Sequence, residues 1–162
     1  MLLFSPRWLF LIPGLAATLL GGGLFCILSV GSFKLGAITL DSGSLAISSM
    51  TLLVGVQLLF FSVFVKIFSI SEGFLPKDPA FEKMTKLASL ERIIFLGAFF
   101  LVVGLALLAH AIWLWADAGF GPLSYSENMR RVTPVATLVL LGVQTIFSGF
   151  FISVLGLKTT RS

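Results

Sequence analysis

Four long apolar runs alternate with three polar intervals along the chain. The runs cover residues 8–30, 45–68, 93–115 and 133–157. Each reaches the roughly 20 residues that a helix needs to cross a bilayer. The longest polar interval, residues 70–92, separates the first pair of runs from the second. The pattern predicts an all-α membrane protein. Its four transmembrane helices form two tandem hairpins, and residues 1–162 form a single membrane domain.

Within the 70–92 connector, Gly73, Pro76 and Pro79 interrupt any continuous helix. Asp78-Pro79 has the form of an N-cap followed by proline at the first helical position. Phe81, Met84 and Leu87-Ala88 then recur at helical spacing, with Glu82, Lys83 and Lys86 largely off that face. Glu82 and Lys86 are four apart and can pair. A short amphipathic helix on the cytoplasmic membrane surface is predicted here.

The spans carry local signals. Pro13 predicts a kink near the start of the first, where a membrane helix tolerates it. Gly21-Gly22-Gly23 costs helix propensity, so close approach by a neighbouring helix is expected, with local unwinding as the alternative. Residues 31–44 lack a helical period and suit a short hairpin or an interfacial loop. Lys66 can snorkel to the headgroups near the end of the second span. Trp8, Trp113 and Trp115 suit membrane interfaces. Residues 116–131 form the second outer loop, where Asp117 and Glu127 are candidate partners for Arg130 and Arg131.

The two halves resemble each other. Gly55-Val56-Gln57 in the second run returns as Gly142-Val143-Gln144 in the fourth. Gly14 and Gly21 are seven apart, as are Gly97 and Gly104. Such pairs lie on one helix face and permit close packing. Two spans per repeat restore orientation, so the hairpins should be related by a pseudo-twofold axis along the membrane normal.

Composition agrees with lipid as the solvent. The chain is 57% hydrophobic and 11% charged, with a mean hydropathy of +1.08, against about 25% charge in soluble domains. The first run outlasts a signal-peptide core of about 7–15 residues, so a retained span is expected. The lone cysteine, Cys26, rules out an internal disulfide and reads as a small buried hydrophobe. The net charge of +4 suggests cytoplasmic basic residues rather than nucleic-acid binding. Arg7, Lys66, Lys77, Lys83, Lys86, Arg92, Lys158 and Arg161 fall on the side of the termini and connector. Lys34, Arg130 and Arg131 fall on the other. Both termini are therefore expected in the cytoplasm.

Candidate chemistry is sparse. No catalytic set, metal site or cofactor motif is present in the sequence. Gln57 and Gln144 are intramembrane polar groups whose ordinary role is interhelical hydrogen bonding, with lipid or substrate contact as the alternative. His110 sits near an interface, where a satisfied histidine is expected rather than a proton relay. Arg7, Lys66, Lys77, Lys83, Lys86 and Arg92 would ring the inner interface at phosphate depth. Attraction to anionic lipid accounts for them, and specific binding of a lipid phosphate is the sharper alternative.

Five segments carry a family resemblance, in order along the chain. They are Ser5-Pro6-Arg7-Trp8-Leu9-Phe10-Leu11-Ile12-Pro13-Gly14, Gly55-Val56-Gln57, Glu72-Gly73-Phe74-Leu75-Pro76, Leu90-Glu91-Arg92 and Gly119-Phe120-Gly121-Pro122-Leu123. Together they resemble the C-terminal membrane region of bacterial family 2 glycosyltransferases similar to dolichol-phosphate mannosyltransferase. The resemblance implies a bacterial cytoplasmic membrane location and a polyprenyl phosphate acceptor at the inner leaflet. It also implies a GT-A catalytic domain that binds a nucleotide sugar and a divalent metal. The resemblance begins at Ser5, so the expectation is that these residues do not include that domain: they are the membrane half of a split or truncated enzyme, or a membrane domain that works alone or with a separate catalytic subunit. The expectation is a membrane-anchoring, acceptor-presenting region, not catalytic alone, with a separate GT-A subunit as partner. A small flippase component for polyprenyl-linked sugars and a ligand-free membrane assembly subunit are the alternatives.

Overall fold

A computed structural model describes residues 7–36, 38–74, 90–117, 119–121 and 124–159. Its four long helices are α1 (Ile12–Val30), α2 (Ser42–Ser71), α3 (Leu90–Asp117) and α4 (Tyr125–Thr159). All four are long and apolar enough to cross a membrane. The chain is an all-α, multi-pass integral membrane protein. One wide π-helical turn, Arg7–Leu11, leads into α1. Pro13, with no N–H to donate, follows directly. The connector's expected surface helix lies outside the described residues, except that Leu90–Arg92 form the first turn of α3.

The burial pattern shows which solvent the fold answers to. Among the described residues, the buried apolar side chains are Leu28, Leu45, Ile67 and Val135. The buried serines and threonines are twice as many: Ser42, Ser48, Ser49, Ser62, Ser69, Thr137, Thr145 and Ser148. Large side chains such as Leu20, Phe95, Phe99 and Phe147 point outward. In water this arrangement would forfeit the hydrophobic driving force. In lipid an outward leucine costs nothing, and small residues let helices approach. Cys26, expected to be buried, is exposed. It lies off the Gly14–Gly21–Leu28 face by which α1 packs.

That face is made by glycine. A methyl on Gly21 would stand 2.5 Å from the Leu52 amide nitrogen, and one on Gly14 3.2 Å from the Gly55 carbonyl. Gly55 presses back on the Thr18 backbone between them. The second hairpin repeats this contact by contact. Gly97 meets the Gly142 carbonyl and Ile146, Gly104 meets Val139, and Gly142 presses on Leu101. Of the triple glycine, only Gly21 is pressed against backbone. Gly22 touches the tip of Leu52 and Gly23 faces open space. Helix α1 runs through all three without unwinding.

The hairpins meet through α2 and α4, which run in parallel, with α1 and α3 outside. Three contacts mark the seam along its length. At one end Ser49 donates to Thr137 Oγ1 at 2.6 Å, and Thr137 donates to the Thr133 carbonyl. Midway, Gln144 Nε2 donates to the Leu53 carbonyl at 3.4 Å. At the other end Phe64 and Phe151 meet edge to face, 4.8 Å apart. These phenylalanines occupy equivalent places after the two Gly-Val-Gln triplets, so a pseudo-twofold axis passes between them.

The intervals between spans are shorter than expected. Phe33–Leu35 and Ile38–Leu40 pair as an antiparallel ribbon, β1 and β2, in the register Phe33 to Leu40. Gly36, at φ +61°, makes the turn. Helix α4 begins at Tyr125 rather than near Thr133. Ser124 and Glu127 supply the reason. They have capping-box spacing, Ser124 Oγ lies 3.3 Å from Glu127 Oε2, and Asn128 N–H bonds the Ser124 carbonyl. Pro134 is carried inside the helix, where it cannot donate a hydrogen bond to the Arg130 carbonyl.

Opposite signs are expected for one substitution at two kinds of glycine. Gly55→Ala and Gly142→Ala should each lower stability by about 1–3 kcal/mol, because backbone cannot yield to the methyl. Gly23→Ala should raise it by about 0.5–1 kcal/mol. Thermal unfolding in detergent, followed by circular dichroism, measures both.

Candidate functional site

The two ends of the bundle differ in chemistry. The connector end holds the close of α2, the start of α3 and the Arg7–Leu11 turn. Lys66 is half-buried on α2, one turn before its end, and Arg92 is exposed in the first turn of α3. Arg7 opens the π-helical turn. These residues reach the same end because each span reverses the one before. Lys77, Lys83 and Lys86 lie outside the described residues.

Beneath this rim is a layer of phenylalanines. Phe10 lies 6.3 Å from Phe61, Phe61 lies 5.9 Å from Phe64, and Phe64 meets Phe151. The layer ties the entry turn through α2 to α4. Helix α2 closes with Gly73 at φ +74°. Gly73 N–H bonds the Ile70 carbonyl and Phe74 N–H bonds the Ser69 carbonyl, which is a Schellman cap. Glu72-Gly73-Phe74-Leu75-Pro76 is therefore a helix stop written in sequence, with the left-handed glycine and its following proline. Ser69 is fully buried there, and its hydroxyl has no partner among the described residues.

The intramembrane glutamines are unequal. Gln144 reaches across the seam to the Leu53 carbonyl. Gln57, its counterpart, makes no hydrogen bond among the described residues. His110 is exposed and stacks on Trp113 at 6.1 Å. No group of three or more potential metal ligands occurs among the described residues.

The opposite end is closed by charge. Arg130 Nη2 donates to Asp41 Oδ1 at 3.2 Å, and Ser126 Oγ reaches the same oxygen at 3.3 Å. Asp41 belongs to the first hairpin and Arg130 to the second, so this contact clamps the halves. Arg131 pairs with Glu127 at 2.7 Å, one helical turn away. The sequence nominated Glu127 correctly as a partner of the arginine pair. Asp41 was missed, because its separation of 89 residues from Arg130 is closed only by packing α2 on α4.

The Asp41 carboxyl is held below the ordinary aspartate range. The Ser42 backbone N–H is the main cause, desolvation opposes it, and Ser126 and Arg130 add to the lowering. A lowered folded-state pKa gives stability that is full above the unfolded value of about 3.9 and lost as pH falls through the folded value. The melting temperature should therefore fall below about pH 4 as the clamp is protonated. Asp41→Asn should flatten that acid limb, as thermal unfolding between pH 6 and 3 would measure.

Comparison with known proteins bears on this architecture. Residues 63–156, which run from the end of α2 through α4, match the family described as the glycosyltransferase family 2 C-terminal transmembrane region. No curated protein matches the chain, and no solved structure does. The matched stretch holds both capped Gly-Phe segments, the second Gly-Val-Gln triplet and Arg92. It covers more than half of the chain, which therefore belongs to the family of C-terminal transmembrane regions of family 2 glycosyltransferases.

Proposed function

We propose that this region anchors a polyprenyl-phosphate glycosyltransferase and presents its lipid acceptor. The catalysis would come from a GT-A unit. The observation that carries the proposal is positional. Arg7, Lys66 and Arg92 come to one end of a bundle that belongs to a glycosyltransferase membrane family. Lys77, Lys83 and Lys86 lie in the connector at that same end of the chain path.

The physical roles divide between the bundle and its rim. The spans supply a fixed platform, because the glycine contacts leave little freedom between paired helices. The basic rim offers positive charge at the boundary where a lipid phosphate sits, each such group contributing about 1 kcal/mol near an anionic surface. The polyprenyl chain would stay in the bilayer along the exposed apolar faces. In this reading the termini and the connector face the bacterial cytoplasm, and residues 1–162 act as one membrane domain. The connector is the docking surface for the GT-A unit. Gln57 lies deep in the spans, away from the rim, and has no part in holding the phosphate.

Neutralising Lys83, Lys86 and Arg92 together to glutamine should reduce co-purifying polyprenyl phosphate by about tenfold or more, given that charge contribution. Unchanged lipid retention, measured by mass spectrometry, would refute the acceptor role. A topology reporter fused after Ser162 should read cytoplasmic, and a periplasmic signal there would overturn the orientation.

A further inference from the structure

The end of the bundle remote from the connector holds a cleft of about 410 Å³ between α3 and α4. Its floor is apolar, made by Leu108 and Ile112 of α3 and Val132 of α4. Its mouth is formed by Trp115, Phe120, Asn128 and Arg131. The cleft exists because the glycine register ends. Helices α3 and α4 touch backbone to backbone at Gly104 and Val139. Beyond that level, Leu108 and Ile112 line the gap between them.

The aromatic wall is fixed in place. Gly119 N–H bonds the Ala116 carbonyl, and Phe120 N–H bonds the Trp115 carbonyl, a Schellman cap on α3. Trp115 Nε1 donates to the Gly121 carbonyl at 3.0 Å, which sets the indole. The Phe120 ring then meets it edge to face at 5.0 Å. Phe120 itself has φ +56°. A residue with a β-carbon rarely adopts that conformation, and such strain gathers at ligand clamps. The left-handed residue of the cap proper is Gly119, at φ +68°, and Phe120 follows it, also at positive φ, with its ring at the cleft mouth.

The charge at the mouth is balanced. Arg131 is paired with Glu127, and Asn128 offers both a donor and an acceptor. A purely anionic headgroup would meet a guanidinium whose charge Glu127, just outside the lining, already balances. A headgroup with both signs matches better. Its phosphate would take the remaining Arg131 donors and the Asn128 amide. Its ammonium would lie against Trp115 and Phe120, where cation–π attraction acts. The acyl chain would follow the apolar floor into the membrane.

We propose that this cleft is a selective site for a zwitterionic, amine-bearing phospholipid. It lies at the end of the bundle opposite the basic rim and does not depend on the acceptor reading. The site would hold one bilayer lipid in place and couple the α3–α4 splay to lipid composition.

The test uses the full chain with Trp8→Phe and Trp113→Phe, which leaves Trp115 as the sole indole. The protein is reconstituted in phosphatidylglycerol vesicles. Probe lipids brominated near the top of the acyl chain are added as phosphatidylethanolamine, phosphatidylglycerol or a diacyl glucolipid. Quenching of Trp115 should report an apparent affinity about two- to fivefold higher for the ethanolamine lipid, the size expected of one exposed cation–π contact. Arg131→Gln should abolish the preference. Phe120→Gly should also abolish it while leaving the melting temperature equal or higher, because glycine suits the backbone there. Equal quenching by all three probes would overturn the proposal. So would a preference for the anionic or the sugar headgroup, or a preference that survives both substitutions.

Discussion

Helices in a bilayer gain nothing by hiding leucine from their surroundings, so something else must hold them together. Here it is the approach of backbone to backbone at glycine. Gly14, Gly21 and Gly55 bring α1 and α2 into contact, and Gly97, Gly104 and Gly142 do the same for α3 and α4. At such separations many weak dispersion contacts add up. Any side chain in their place would part the helices and forfeit them. The rest of the molecule is arranged around these two seams: most large apolar side chains outward, many serines and threonines inward, and charge at the ends.

The seam between the hairpins is different in kind. It uses a hydroxyl relay from Ser49 through Thr137, the Gln144 amide and the Phe64–Phe151 contact. Interhelical hydrogen bonds in membranes average about 0.6 kcal/mol each. This seam rests on a few discrete contacts rather than on continuous backbone approach, and the Asp41–Arg130 clamp adds one more near its outer end. The two ends of the bundle are left for different work. One gathers Arg7, Lys66 and Arg92 beside the connector. The other carries the ion pairs and the cleft between α3 and α4.

Much of this was legible in the chain. Span count follows from run length, because 20 apolar residues satisfy their own backbone only as a helix. The Gly-Val-Gln triplets and the seven-residue glycine pairs announced two alike hairpins, and equivalent glycines do make equivalent contacts. The Glu127 partner of Arg131 was visible at four-residue spacing. The early start of α4 is also written in Ser124 and Glu127, although Pro134 within the run suggests a later one. The exposure of Cys26 was not legible, since an apolar helix in lipid carries no polar face to show which side is out.

What the sequence determined alone is the solvent, the number of spans and the residues small enough to let helices touch. These depend on local composition and on periods within one helix. What only the tertiary structure decided is which distant groups meet: Asp41 with Arg130, Ser49 with Thr137, Phe64 with Phe151, and Trp115 and Phe120 with the mouth of a cleft. Those pairings depend on the rotation and depth of each helix against its neighbour. Backbone contact at glycine fixes both, and no single helix contains that information.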